Sequence, residues 1–576
     1  MKTSLLTRFV LLSTSFTFLM ITISLIYLEI NPVMGYEISI YSSTPSIFWI
    51  SMILGLINGF LLTYLGITDQ IKRAHILGIF EILFVNSLVL LLSALRDYIV
   101  NLLRGDAPSY IGLVKDLTIH GNLTDDFYPF VSIMVSQLHQ ISNISIVSLA
   151  KYIPTLFYIF SILSIYCLSK SLICDKKFIF FSVIAATPLF FAWFSTAMYY
   201  MLLSVFTLPL LFYLLTKLED MRFRLLIIIF CFVFPLFHPI TAIVVILYLF
   251  LSYLVQRYPF SDTKNYYIPA TLVILSSVSL IFWFSNQYAV TRSFFIIVAN
   301  LLGIFQANST FTQATYYSEK LGFISTIYTL SHLILDEMIF YSLAVVAIYL
   351  IIFKKGSLEK RIFAPFIACF ITGTLLVMFL FCFTVAHRPD RLLNLNFNMM
   401  LAPLFVAYLL YLNHKNRLKT VLLISLILLA TVSTYFSLYQ SPFTTRPNDY
   451  MTLSEYHGSN WLLCNKNFLI HTVDLANPIS RYADFTYGVT YRALRKDLKR
   501  EYLLPDHFGF ATPFDNRFPI DRDRYLVLSP YDEEAYTNIW GHTKRFNKDD
   551  FGKIDECQNT LKIFDDGGFK TYLIRV

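Results

Sequence analysis

The sequence predicts a polytopic all-α membrane protein of about thirteen transmembrane helices, followed by a C-terminal extracytoplasmic domain of α/β or α+β type. Three observations carry this. The chain has 576 residues, 56% of them hydrophobic and only 14% charged, whereas soluble domains carry about 25% charged residues. Its apolar runs are long enough to cross a bilayer, at about 20 residues each. From about residue 440 onward the composition shifts to Asp, Arg, Asn, Tyr and Gly. The 55 Phe and 38 Tyr suit helices that face lipid and one another, with some rings at the interfaces. A net charge of +8 does not point to nucleic acid, because the basic residues sit in short clusters between apolar runs, as cytoplasmic turns require.

The first run, 9–28, follows Lys2 and Arg8 and ends without a small-residue cleavage site, so it reads as an uncleaved helix. Further spans are expected at 46–66, 76–95, 148–169, 178–194 and 197–215. The stretch 225–255 contains FPLFHP, whose Pro235 and Pro239 resist a straight helix. It therefore splits into two helices turning near His238. Spans at 268–284, 333–353, 362–385, 395–412 and 421–439 complete the membrane domain, 1–439. Within it lie a large external loop, 96–147, and a second, 285–332, whose first part is amphipathic and suits the interface. In the tail, 440–576, strands are expected at 468–473, 525–528 and 570–574. Asp566-Gly567-Gly568 reads as a tight turn before the last strand. The piece LSEYHGSNWLLC reads as a helix packed through Trp461 and Leu462.

Lys and Arg are concentrated in alternate connections, which places the N-terminus inside and the large loops and the tail outside. The sequons at Asn122, Asn143 and Asn308 fall on that outer side. Seven cysteines show no metal-ligand spacing. Only Cys464 and Cys557 lie in the tail, where they are candidates for a disulfide.

The outer loops hold the chemistry-bearing residues. Residues 96–129 carry Asp97, Asp106, Asp116, Asp125 and Asp126 between apolar helices. Asp106 follows Gly105 and precedes Pro108 and Tyr110. Asp is a good helix N-cap, yet a carboxylate at the bilayer surface also suits a general base. Asp116, ten residues on, faces within about 80° of it on a helix. Asp125 and Asp126 suit a cap or a cation. Glu37 is a second outer carboxylate. His387, Arg388, Asp390 and Arg391 interrupt two apolar runs on the outer side, against the positive-inside trend, and Arg presents a rigid fork suited to phosphate. His238 suits a phosphate or sugar oxygen, or carbonyls freed by Pro239. Asp336 and Glu337, expected near the outer end of their helix, are costly in an apolar run unless they face a wet cavity or a partner such as Arg292.

The segment GDAPSYIGLVKDLTIHGNLTDDFYP resembles the first external loop of membrane glycosyltransferases of the GT-C superfold, including large archaeal members. In that family an acidic residue is followed by an aromatic, a helix, and a Gly before a Tyr-Pro stretch. Here these are Asp106, Tyr110, residues 114–120, Gly121 and Tyr128-Pro129. The tail ending DDGGFKTYLI is also similar to archaeal members. The resemblance implies a GT-C-like fold and an inverting enzyme. A sugar would pass from a polyprenyl (dolichyl) phosphate donor to an acceptor hydroxyl, for glycan, glycolipid or glycoprotein assembly. Asp106 would be the catalytic residue. Because two helices precede the loop, Glu37 is the alternative. Arg388, Arg391, His387 and His238 would hold the donor phosphate. Tyr110, Asp116, His120, Arg292, Asp336 and Glu337 would line the substrate pocket. No cofactor is required, and a divalent cation is optional. Glycan transfer to protein is less favoured, since no WWDYG-like signature is present. A transporter would show repeated halves, and none is evident; a non-catalytic glycan-assembly scaffold is the other alternative.

Overall fold

Breaks in the apolar stretches, more than the stretches themselves, set the architecture. The computed structural model describes residues 2–100, 105–122, 126–257, 269–287, 295, 299, 310–354, 357–383, 396–499, 502–510 and 517–576. Among them, seven helices are long and apolar enough to cross a membrane: Leu5–Ile30, Ser46–Ile67, Ile146–Leu172, Pro239–Gln256, Phe323–Phe353, Glu359–Phe379 and Arg417–Tyr435. Ala74–Leu90, Tyr200–Leu215, Ala270–Ser285 and Ala402–Asn413 are shorter apolar helical stretches. The chain is thus a multi-pass membrane protein, but the expectation of about thirteen spans is not met among the described residues.

The largest correction lies at 178–215. Two spans are expected there, and four short helices form instead: Lys176–Ala185, the 3-10 turn Ala192–Thr196, Tyr200–Phe206 and Leu208–Leu215. Pro188 and Pro209 punctuate the run, and Phe191 and Ala192 take positive φ values of 82° and 47°. Every residue from 181 to 200 is buried. Non-helical backbone is tolerated at such depth only where the protein supplies its hydrogen bonds. Here Asn86 and Tyr158 both donate to the Thr187 carbonyl, at 2.8 Å each, and the Leu189 N–H donates to Thr434 Oγ1 at 3.3 Å. Tyr435 O–H in turn holds Asn86 Oδ1 at 2.6 Å. Hydropathy does not distinguish a protein interior from lipid, so this buried run passes for two spans.

A similar shortening occurs at 395–412. Asn396 leads into the 3-10 turn Phe397–Met400, and the helix proper is Ala402–Asn413, with Pro403 in its first turn. Conversely, the helix expected at 333–353 runs from Phe323 to Lys354. The split at His238 is as expected: it separates Met221–Phe237 from Pro239–Gln256. The first helices are joined by polar contacts. Asn58 donates to both oxygens of the fully buried Glu81, at 2.8 and 3.0 Å, and accepts from Ser13 at 2.9 Å.

The tail is a mixed α/β region. Strands β1 (His471–Asp474), β2 (Arg524–Leu528), β3 (Thr560–Asp565) and β4 (Lys570–Ile574) form one sheet in the order β1-β2-β4-β3. β1 and β2 are parallel; β2–β4 and β4–β3 are antiparallel. β2 is buried along its whole length, and Leu526, Leu528, Phe508, Ile554 and Ile574 form a core of the tail's own. β3 has no counterpart among the expected strands. It is an edge strand with exposed or half-exposed side chains, so it lacks the apolar signal of a buried one. The expected turn is present, with Gly567 at φ 84°. The helix Leu453–Asn465 opens on a capping box, Thr452 with Glu455. The disulfide expectation is corrected: Cys464 and Cys557 are free. Cys464 is exposed with its Sγ 2.9 Å from the Tyr487 hydroxyl, whereas Cys557 is buried and donates to the Lys553 carbonyl. An antiparallel bridge between Val100 and Met451 ties the start of the large loop to the start of the tail.

Candidate active site

The polar loop is built around the helix Ala107–His120. Pro108 lies in its first turn and Gly121 just past its end, at φ 64°, the placement helix ends prefer. Asp106 occupies the N-cap position but makes no side-chain capping bond. Its carboxylate faces the tail instead. Arg481 Nη2 lies 3.3 Å from Asp106 Oδ1, and the two side chains are 30% and 32% exposed.

Arg481 belongs to the helix Ile479–Tyr487, which packs closely on the loop helix. A side chain at Gly112 would have its Cβ 2.4 Å from the Asp484 carbonyl, so only glycine fits there. Gly488 ends the tail helix at φ 100° beside Asp116. Polar bonds then lock the contact. Asp484 accepts from Ser109 at 2.6 Å and from Arg492 Nε at 2.8 Å. Arg481 Nη1 bonds Ser109 Oγ. Asp116 Oδ2 accepts from Thr490 N at 2.8 Å, and Lys115 donates to the Phe485 carbonyl.

On the side facing the membrane domain the loop helix presents Tyr110. Its ring stacks on Tyr200 with centroids 3.9 Å apart, and Tyr199 lies at 6.1 Å. Burial pushes the Tyr110 phenol well above its ordinary range, and the nearby Asp106 carboxylate adds to this, so it stays a neutral hydroxyl. A polar string continues inward. Tyr200 Oη lies 2.7 Å from Ser132 Oγ, Ser132 donates to Asp126 Oδ2 at 2.5 Å, and the Tyr128 N–H donates to Asp126 Oδ1 at 2.8 Å. The Tyr128 ring sits 4.8 Å from the ring of His238. Burial raises the Asp126 carboxyl above its ordinary value, an effect that Ser132 and the Tyr128 N–H reduce.

The residues singled out by sequence thus divide. Asp106, Tyr110 and His238 belong to one connected region around the loop helix and the Tyr128 stretch. Asp116 is on the same helix but is buried against Thr490. His120 is exposed at the far end of the helix. Glu37 is held elsewhere: Arg96 takes both its oxygens, at 2.7 and 2.8 Å, and Tyr98 O–H donates to it at 2.5 Å. Asp336 and Glu337 are not at the outer end of their helix. They lie roughly three and a half turns past Phe323 and are only 3% and 7% exposed. The expectations for Arg292, His387, Arg388, Asp390, Arg391 and Asp125 fall outside the described residues.

Arg481, Asp484, Tyr199 and Tyr200 are the members that sequence reasoning missed. Tyr199-Tyr200 was legible only as the end of AWFSTAMYY, a polar-aromatic break in an apolar run. Arg481 carries no local signal, since its partner Asp106 lies 375 residues away. Among the described residues, no three of His, Cys, Asp and Glu are grouped as ligands for one ion.

No family model matches the chain, and no curated protein matches it. Solved structures to which the chain shows some similarity include the oligosaccharyltransferase of Archaeoglobus fulgidus, in complex with zinc and sulfate. Its identity is 11% and its TM-score 0.44, over 85% of this chain and 72% of that one. ArnT from Cupriavidus metallidurans, bound to undecaprenyl phosphate, gives 9% identity and a TM-score of 0.48, over 87% of this chain and 98% of that one. Neither similarity bears on chemistry, which the residues of the site have to carry by themselves.

Proposed function

We propose that the protein is an inverting membrane glycosyltransferase of GT-C type, moving a sugar from a polyprenyl-phosphate donor to an acceptor hydroxyl on the outer membrane face. The single observation that carries this is the state of Asp106. Among the described acids of the outer loops, Glu37, Asp116 and Asp126 are each held by bonds within the protein, and Asp97 is exposed in a left-handed turn. Asp106, paired with Arg481 at 3.3 Å, keeps about a third of its side chain exposed beside the stacked Tyr110–Tyr200 pair. A carboxylate that stays partly exposed at the edge of a buried aromatic cluster suits the hydroxyls of a sugar.

In the reaction, the acceptor hydroxyl gives its proton to Asp106 as its oxygen bonds to the anomeric carbon. The bond from that carbon to the phosphate oxygen breaks, and polyprenyl phosphate leaves with the electron pair. Cationic side chains offset the leaving charge. Arg388, Arg391 and His387 are proposed for this from sequence, with His238 beside the Tyr128 ring. Asp336, Glu337 and Arg292 remain proposed pocket residues on the same footing. The orientation, with N-terminus cytoplasmic and the tail outside, follows from the distribution of Lys and Arg. The test is transfer from a panel of dolichyl-phosphate sugars by the purified protein in vesicles. Product with an inverted anomeric centre supports the proposal; intact donor across the panel, with a folded protein, contradicts it.

A further inference from the structure

A cleft of about 610 Å³ opens in the tail, within the roughly 300–1,000 Å³ of small-molecule sites. Three departures from regular backbone meet on its wall. His507 and Phe508 are both left-handed, at φ 52° and 53°, a conformation that is costly for residues with a side chain. Lys544 is left-handed too, at φ 54°. Residues Ala535–Ile539 form a single π turn, closed by the Trp540 N–H on the Ala535 carbonyl at 2.6 Å; such turns are rare and concentrate at functional sites.

Packing holds the left-handed pair in place. Phe508 is fully buried, its ring 4.6 Å from that of Phe546 and 5.4 Å from that of Phe551. The His507 N–H donates to the Arg545 carbonyl at 2.7 Å. The His507 side chain lies on the cleft wall, where Nδ1 donates to Asp550 Oδ2 at 2.8 Å; the same oxygen accepts the Asn547 N–H at 2.8 Å. With Nδ1 committed to a carboxylate, the neutral ring carries its proton there, and Nε2 is an acceptor. No described residue donates to Nε2. Burial of Phe508 accounts for the turn but not for the histidine, since Gly takes left-handed backbone at lower cost.

The rest of the wall is polar and balanced in charge. Glu533 and Glu534 are matched by Lys544 and Lys548, so no excess of one sign draws a polyanion or a polycation. Thr537 and Asn538 add neutral donors and acceptors. The aromatic members, Tyr536 and Phe546, are buried, which leaves little apolar surface for a hydrophobic ligand. A neutral ligand with many hydroxyls, each able to donate and to accept, suits this wall. We propose that the cleft is a saccharide-binding site of the tail, in which His507 Nε2 and the Glu533 carboxylate each accept a ligand hydroxyl. None of its lining residues belongs to the helices that carry Asp106 and Arg481, so the inference does not depend on Asp106 being a base. The turn fixes the imidazole before the ligand arrives, so little ordering is lost on binding.

The test uses the full chain in lipid nanodiscs and reads binding of neutral trisaccharides of glucose, mannose and N-acetylglucosamine, with inorganic phosphate and zinc as ion probes. At least one saccharide is expected to bind. His507→Gly is expected to weaken that binding by about five-fold or more while staying folded, because glycine adopts φ 52° readily. Glu533→Gln weakens it several-fold. His457→Ala, which removes an exposed histidine on the helix Leu453–Asn465, leaves it unchanged. No saccharide bound at about 10 mM, or unchanged affinity in both His507→Gly and Glu533→Gln, would overturn the proposal. Zinc or phosphate bound in place of any saccharide, and lost in His507→Gly, would give the cleft to an ion and overturn it as well. Saccharide binding without sugar transfer leaves the cleft assignment standing and removes the catalytic reading. Sugar transfer without saccharide binding does the reverse.

Discussion

The guanidinium of Arg96 closes on both carboxylate oxygens of Glu37, at 2.7 and 2.8 Å, with Arg96 only 3% exposed. Tyr98 and Asn448 extend the pair: Tyr98 O–H donates to Glu37 at 2.5 Å and accepts from Asn448 at 3.1 Å. This network joins the connection after the first helix, the start of the polar loop and the start of the tail. Breaking a buried pair by removing one partner strands the other charge. Glu37→Gln should therefore cost about 3 kcal/mol of stability, read as a lower melting temperature in detergent. Turnover per folded molecule should be unchanged. A variant that melts normally but has lost turnover would move the base from Asp106 to Glu37.

Asn86 should matter for the same kind of reason at a deeper level. It donates to Thr187 O and Tyr158 Oη and accepts from Tyr435, so it completes the hydrogen bonding of the buried break at 186–200. Asn86→Leu keeps the branched shape but leaves the Tyr435 hydroxyl without that acceptor. The expected cost is about 1–3 kcal/mol. Thermal denaturation compared with a Leu substitution at the exposed Phe80 would check it; equal melting of the two variants would contradict the role.

The raised carboxyl of Asp126 gives a pH prediction with a definite sign. Its folded value lies above the ordinary 3.8, chiefly through burial. Between those two values the native state binds more protons than the unfolded one, so stability falls as pH rises through the window. Asp126→Asn removes that dependence while keeping an acceptor for Ser132 or the Tyr128 N–H. The variant should lose less stability than the parent between acid and neutral pH, seen as a flatter melting-temperature profile on the acid side. An unaltered profile would show that Asp126 does not titrate in this way.

Much of the local structure was legible because it follows local rules. Prolines flanking His238 broke the helix where expected, the Asp-Gly-Gly turn formed, and β2 and β4 carried enough apolar residues to be seen. Asp106, Tyr110 and Tyr128-Pro129 were readable as a motif, and they do gather around one helix. What local pattern does not encode is partnership at a distance. Glu37 is an outer-side acid in sequence terms, and only the fold reveals Arg96 across it. Arg481 is one basic residue among many in the tail until Gly112 lets its helix seat beside Asp106. The short helices at 178–215 have the hydropathy of spans because a residue packed against protein and one packed against lipid are equally apolar.

The central claim is that Asp106 takes the proton of the acceptor. The most direct measurement is single-turnover sugar transfer by Asp106→Asn, in the same vesicles and at the same folded concentration as the parent and Glu37→Gln. Loss of one general base should slow transfer by about 100-fold or more, with Glu37→Gln close to the parent protein. Transfer by Asp106→Asn at the parental rate would contradict the account.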